Sequence, residues 1–170
     1  MSQCNPMTST SDLGFLFEGR HEGIAQSAAN IARSFSEDEQ HDPQTATVSA
    51  VQRLAAEGLT AFCVPERFGG ADVGDPDALD CRALTLIRES LGWSSALLDT
   101  AFAMQGLGSY PISLAGTESQ KSTYLPGILS GARLGAFALT EPSAGSDVAA
   151  MQCQALRTAN GYRLNGQKTY

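Results

Sequence analysis

Beyond its first dozen residues the chain places apolar positions at helical spacing. Ile24, Ala28, Ile31 and Phe35 follow a 4-3-4 pattern, one stripe of a helix expected to end near Ser36. The acidic residues 37–42 read as a solvated linker. A second helix is predicted from about Gln44 to Glu57, with Val48, Val51, Leu54 and Ala55 inward. Gly58 stands where it can close that helix, and Leu59 supplies the apolar contact that follows. Residues 62–70 (Phe-Cys-Val-Pro-Glu-Arg-Phe-Gly-Gly) cannot continue a helix through Pro65 and the glycine pair, so an ordered loop is expected. Asp75-Pro76 looks like an N-cap with proline at the first helical position, opening a helix with Leu79, Ala83, Leu86, Ile87 and Leu91 inward. Ser94 or Ser95 can cap a further helix through about Gln105. Leu97, Leu98, Ala101, Phe102 and Met104 make it apolar on most sides, which predicts a central position. Thr117-Glu118-Ser119-Gln120 is a capping box before one more helix, with Pro126 and Gly131 marking its end.

The pattern changes near residue 135. A short apolar run, 135–139, precedes Thr140-Glu141-Pro142. Residues 151–158 and 162–165 read as strands separated by the hairpin signal Asn160-Gly161, and Asn165-Gly166 is a second such signal. The expected organisation is a disordered N-terminus over 1–17, a helical domain over 18–134 and the beginning of a β domain over 135–170. The fold class is mainly α, an all-helical domain followed by an incomplete β domain. Two or three short strands are rarely stable alone, so the chain reads as incomplete, or as completing its sheet with another chain.

Composition narrows the function classes. Eleven Lys and Arg against eighteen Asp and Glu leave a net charge of −7, without any basic block. Nucleic acid and anionic membrane surfaces are poor partners for such a chain. No run of ~18 apolar residues predicts a membrane span. The start has neither a basic nor an apolar segment of a secretory signal, which points to the cytoplasm. Cys4, Cys63, Cys81 and Cys153 form no clip and lie in no basic context, so four reduced thiols are expected and none is a candidate nucleophile. His21 and His41 read as exposed surface residues, Trp93 as a partly buried packing residue, and no metal constellation is visible.

One segment could carry chemistry. Phe137-Ala-Leu-Thr-Glu-Pro-Ser-Ala-Gly-Ser-Asp147 is a strand running into a tight loop of small residues. Thr140 and Ser146 offer hydroxyls, Gly145 allows close backbone approach, and successive amides can line an anion or a carbonyl. An ordinary capped turn, with Ser146 or Asp147 as the cap, explains the same residues.

This segment resembles the signature of the acyl-CoA dehydrogenases, aromatic-x-x-Thr-Glu-Pro-x-Ala-Gly-Ser-Asp, with Ser143 where glycine is commoner. Gly58-Leu59 and Val64-Pro65-Glu66 with Gly69-Gly70 are similar to the family's Gly-Leu and Pro-Glu-x-x-Gly-Gly loop. Glu89 before Leu91-Gly92 continues the likeness. So do Leu107-Gly108, Pro111-Ile112, Gly116-Thr117-Glu118 with Gln120-Lys121, Leu125-Pro126 and Ser130-Gly131. Gly161-Tyr162-x-Leu-Asn-Gly-x-Lys168 resembles the segment that enters the flavin site. Each motif is modest alone; colinear, from about residue 18 to the end, they are specific.

The resemblance implies a helical N-terminal domain, a β middle domain and a C-terminal four-helix bundle. It implies a flavoprotein that desaturates acyl thioesters between the α and β carbons, with FAD as cofactor. A carboxylate removes the α proton and the β hydride goes to the flavin. Phe137, Leu139, Thr140 and Tyr170 align with flavin contacts, Thr140 through its hydroxyl. Ser146 aligns with the serine on the pantetheine arm. Asp99, Thr100, Ala103 and Leu107 align with residues lining the acyl pocket, although simple helix packing explains these four equally well. Glu141 and Asp147 are expected to serve structure, in turn and helix-end hydrogen bonding. The implied partners are an acyl-CoA or acyl-carrier thioester, an electron acceptor such as an electron-transfer flavoprotein, and further copies of the chain. No catalytic residue of the family falls within these residues; the base is expected beyond Tyr170, so the 170 residues alone are expected neither to desaturate acyl-CoA nor to hold FAD tightly. An acyl-CoA oxidase, a dehydrogenase of carrier-protein thioesters and a non-catalytic helical interaction module are the alternative readings.

Overall fold

A computed structural model describes residues 13–34 and 42–170. The expectations for the tail before Leu13, for Cys4, for the helix end at Phe35-Ser36, for the acidic run and for His41 fall outside these residues. The elements are α1 (Gly19–Ser34), α2 (Pro43–Ala56), α3 (Cys81–Ser94), α4 (Ala96–Ala115), α5 (Glu118–Leu129), β1 (Gln154–Thr158) and β2 (Gly161–Asn165), with short 3₁₀ turns at Leu59–Cys63, Glu66–Phe68 and Val148–Ala150. The fold is mainly α with one two-stranded antiparallel sheet. The chain divides into two compact units, one ending at Ala136 and one running from Phe137 to Tyr170.

In the helical unit α1 packs on α3, and α4 packs on α2, α3 and α5. The centre of that arrangement is therefore α4, which buries Leu98, Ala101, Phe102, Gln105 and Ser109 at 3-4 spacing. Around Phe102 lie Ala28, Ile31, Val51, Leu54, Leu59, Ile87 and Leu91, all buried. A smaller cluster of Val64, Leu125 and Ile128 joins the loop after α2 to α5. No helix among the described residues is long and apolar enough to cross a membrane.

Local chemistry explains most of the boundaries. Asp42 caps α2 by accepting the Thr45 amide at 3.1 Å, and Gly58 lies just beyond the helix at φ +77, where a side chain would be strained. Ser95 caps α4. The capping box is formed: the Thr117 hydroxyl accepts from the Gln120 amide, and Gln120 Oε1 accepts from the Thr117 amide at 2.8 Å. Thr117→Ala is expected to cost about 1 kcal/mol in urea unfolding, the usual loss of an N-cap.

Four expectations need correction. The third helix starts at Cys81, not at Pro76. Asp75 instead closes a turn on the Asp77 amide at 2.9 Å, and Asp80 is the cap, accepting from Arg82 and Ala83. The fourth helix runs ten residues past Gln105. Pro111 removes one donor without stopping it, because the ends of Gln105 and Gly108 are held by a crossing segment. There, Gln105 Nε2 donates to the Arg133 carbonyl, its Oε1 accepts from Gly135, and a Cβ on Gly108 would meet the backbone of Gly135 and Ala136 at 2.8 Å. The expected ordered loop 62–70 is entered by the 3₁₀ turn Leu59–Cys63 and carries a second at Glu66–Phe68. Trp93 is 62% exposed at the end of α3. His21 is fully buried.

In the second unit β1 and β2 pair from Gln154↔Asn165 to Thr158↔Gly161. The two-residue connection is Ala159-Asn160, one position earlier than the hairpin signal suggested, and Gly161 opens β2 at φ +138. Every residue of both strands is exposed. The first strand is shorter than expected because residues 148–150 form a 3₁₀ turn and the amides of 152 and 153 are engaged elsewhere.

Candidate functional site

Two groups of residues carry candidate chemistry, one in each unit. In the helical unit Asp99, Ala103 and Leu107 stand one turn apart on α4, with Thr100 beside them. They occupy the side of the helix opposite to Leu98, Phe102 and Ser109. Asp99 and Ala103 are half-buried; Thr100 and Leu107 are exposed. The same side continues through Tyr110 and Leu114, which are 49% and 70% exposed. It is thus an apolar helix face that the unit's own core does not use.

Asp99 brings a charge to that face, but the charge is neutralised. Arg88 of α3 grips the carboxylate at both oxygens, Nε to Oδ1 at 2.8 Å and Nη2 to Oδ2 at 2.7 Å. This planar two-point contact is the geometry that a guanidinium and a carboxylate favour. The pair also links α3 to the first turn of α4, where the helix dipole favours an anion. Nothing in the spacing of the sequence pointed to Arg88.

In the second unit the chain from Phe137 to Thr140 belongs to no helix and no sheet. A tight turn follows: Glu141 and Ala144 exchange backbone hydrogen bonds at 2.9 and 3.1 Å. Ala144 is buried and Ser146 is exposed in the loop after it. Asp147 accepts the Ala150 amide through its carbonyl, and its carboxylate caps nothing.

The hub of this unit is Glu141. It is 5% exposed, and its carboxylate accepts the Gln152 amide at 2.7 Å, the Cys153 amide at 3.0 Å and Lys168 Nζ at 2.9 Å. Lys168 also donates to the Leu139 carbonyl at 2.9 Å. The Lys168 ammonium, then the Gln152 and Cys153 amides, hold the Glu141 carboxyl below its ordinary range against the effect of burial. The expected structural role of Glu141 is what the geometry shows, with Lys168 as the partner that the motif did not reveal.

The Thr169 amide donates to the Thr140 carbonyl at 2.9 Å. Leu139 and Thr140 are therefore held alongside Lys168 and Thr169, with Tyr170 next in the chain. Phe137 lies on the same run, 46% exposed, and Tyr170 is fully exposed. Among the described residues, no hydrogen bond uses the amides of residues 137–140 or the Thr140 hydroxyl. This run presents unused donors beside the exposed Phe137.

Among the described residues three cysteines are free. Cys63 is buried, its Sγ lies 3.9 Å from the Phe102 carbonyl, and burial pushes its thiol up to about 12. Cys81 and Cys153 are free thiols on the surface.

Comparison with known proteins gives a consistent answer. The model of the acyl-CoA dehydrogenase N-terminal domain matches residues 20–132. An acyl-CoA dehydrogenase of Bacillus subtilis is 34% identical over 121 residues, which are 71% of this chain and 30% of that protein. A 3-(aryl)acrylate reductase of Clostridium sporogenes is 32% identical over 158 residues, 91% of this chain and 40% of the reductase. Among solved structures, an acyl-CoA dehydrogenase from Bacillus anthracis complexed with FAD is similar at a TM-score of 0.74 and 32% identity, over 89% of this chain and 26% of that one. The chain spans less than half the length of each of these relatives.

Proposed function

This chain belongs to the acyl-CoA dehydrogenase family, and from that premise we propose that it serves a flavin-dependent oxidoreductase acting on the CH–CH group of acyl thioesters. The observation that carries the reading is the run 137–140, whose donors are unused and whose course is held by Glu141 and Lys168. The donor set fits FAD. The edge of a flavin ring carries oxygen and nitrogen acceptors, which amides and a threonine hydroxyl can meet. Phe137 and Tyr170 add aromatic surface of the kind that packs on a planar ring.

When bound, FAD supplies the redox chemistry of the acyl Cα–Cβ bond. The chain's own residues bind and orient. Thr140 would hold the ring through its hydroxyl, while Phe137 and Leu139 would act mainly through position and backbone. Ser146, in the loop after Ala144, receives the pantetheine arm by a hydrogen bond. On α4, Ala103 and Leu107 line the acyl chain with Thr100. Asp99 contributes there as a neutralised pair with Arg88, so no bare carboxylate faces an apolar chain.

Glu141 does not abstract the α proton. A carboxylate that is ion-paired, doubly bonded to amides and held at low proton affinity is a poor base. No carboxylate of this chain is assigned that role. An acceptor such as an electron-transfer flavoprotein would take the electrons from the reduced cofactor.

The test uses the protein as it is made in its cell. Purified natively, it should carry visible flavin absorbance that an acyl-CoA bleaches without oxygen. A colourless protein that neither binds added FAD nor reduces a dye with any acyl-CoA overturns the reading. Ser146→Ala should raise KM for the acyl-CoA about fivefold, the worth of one neutral hydrogen bond, with kcat little changed. An unchanged kcat/KM removes Ser146 from the site.

A further inference from the structure

We infer that Glu141 and Lys168 are positioning residues for the flavin: the buried carboxylate and the ammonium together fix the Leu139–Thr140 main chain in the place from which Thr140 meets the ring. The inference rests on the reading of residues 137–140 as the flavin contact.

Three separated segments converge on one carboxylate: its own run 139–141, the amides of 152 and 153, and Lys168. The Lys168 ammonium is shared in turn by Glu141 Oε1 at 2.9 Å, the Leu139 carbonyl at 2.9 Å and Met151 Sδ at 3.6 Å. With the Thr169 amide on the Thr140 carbonyl, two successive carbonyls of the flavin run are anchored to two successive residues of the 168–169 segment. That fixes the Thr140 backbone, and with it the Cα–Cβ direction from which the hydroxyl starts.

The chemistry of an ion pair suits this work. A buried ion pair adds little stability over a well-packed apolar pair, since desolvation offsets the attraction. Its advantage is directional: each oxygen and each N–H demands a partner at a set angle, so the pair specifies geometry.

The experiment compares Thr140→Ala, Lys168→Met, Lys168→Arg and Glu141→Gln in the natively purified, flavin-stripped protein. FAD affinity is measured by titration, the shape of the bound flavin's visible band is recorded, and amide hydrogen exchange is followed at Gln152, Cys153 and Thr169 before FAD is added. Lys168→Met should speed exchange at these amides, weaken FAD about tenfold and alter the band shape, the scale of one charge-assisted hydrogen bond lost from the anchor. Lys168→Arg, which keeps the charge, should recover most of the affinity. If Thr140→Ala weakens FAD while Lys168→Met leaves affinity and band shape unchanged, the positioning role is overturned and the flavin reading stands. If neither changes FAD, both fall. Should Lys168→Met fail to fold, Glu141→Gln carries the same comparison, because it keeps the shape and removes the charge. Unchanged FAD binding in Glu141→Gln with faster exchange at Thr169 would equally overturn the proposal.

Discussion

Replacing Asp80 by alanine should lower the stability of the helical unit by about 2–4 kcal/mol, the loss of an N-cap together with a buried histidine left without its acceptor. Asp80 is the cap of α3 and also the meeting point of two helix starts. Its carboxylate accepts the Arg82 and Ala83 amides, faces His21 Nε2 at 2.9 Å and pairs with Arg20 at 3.0 Å and Arg82 at 3.3 Å. His21 Nδ1 accepts the Glu18 amide at 2.9 Å, so Nε2 is the nitrogen that carries the hydrogen donated to Asp80. Removing the carboxylate strands the fully buried His21, while Arg20 and Arg82 keep Glu18 at 3.2 and 2.8 Å. Urea unfolding followed by helical circular dichroism measures the loss. Asp80→Asn, which keeps a competent cap, should lose less. A loss below about 1 kcal/mol in Asp80→Ala would reduce this network to an ordinary cap.

The same residue predicts a pH dependence. Burial raises the Asp80 carboxyl, but hydrogen bonds from His21, Arg82 and the two amides outweigh it and bring it from 3.8 to about 2. A folded-state value below the unfolded one means that the stabilisation is complete above about pH 4. It is lost as pH falls from there through about 2, as the folded carboxylate takes up its proton. The difference in unfolding free energy between the natural chain and Asp80→Ala should therefore shrink over that window and be flat between pH 5 and 7. A difference that instead changes near neutrality would place the effect on another group.

Phe102→Ala should cost about 4 kcal/mol, the usual loss of a large side chain with a cavity left behind. Phe102 is 1% exposed in the centre of α4, among side chains from α1, α2 and α3. Leu107, five residues on, is 46% exposed on the opposite side. Leu107→Ala should stay within about 0.5 kcal/mol in the same unfolding measurement. Its effect belongs in the KM for the acyl-CoA, where the Phe102 variant, if it folds, should show little. Two substitutions on one helix thus separate the face that builds the fold from the face proposed to meet the substrate. Equal destabilisation by both would erase that distinction.

Helix existence was readable because burial on one side leaves a period. The α1 stripe, the α2 stripe and the apolar centre of α4 all follow from spacing. Capping by Ser95 and Thr117 and the closing glycine at 58 were legible too, since a cap bonds within three or four residues of itself. Failures had a common cause. His21 lies on the stripe with Ala25, Ala28 and Ala32, but a histidine in that place was read by type as a surface residue. What makes it a core residue is Asp80, 59 positions away. The start of α3 was displaced for the same reason: Asp75-Pro76 is a good local signal, and Asp80 wins by accepting from α1 as well as from its own helix. In α4, Gly106, Gly108 and Pro111 are local helix breakers that a helix of this length overrides, with Gln105 bonded to the segment 133–135 that crosses it.

The candidate site shows the same division. The motif from Phe137 to Asp147, its colinear companions and the family they resemble are properties of the order of residues, and the comparisons agree with them over 20–132 and beyond. That Thr140 is held by Thr169, that Lys168 reaches back to Leu139 and Glu141, and that Arg88 neutralises Asp99 are contacts between residues 11 to 29 positions apart. The sequence by itself determined the mainly helical class, the family and the residues worth watching, because periodicity, caps and colinear motifs are recorded in neighbouring positions. Only the tertiary structure decided which charges are partnered, which face of α4 remains open and what anchors the flavin run. Those depend on distance in space, and a hydrogen bond or an ion pair leaves no periodic trace along the chain.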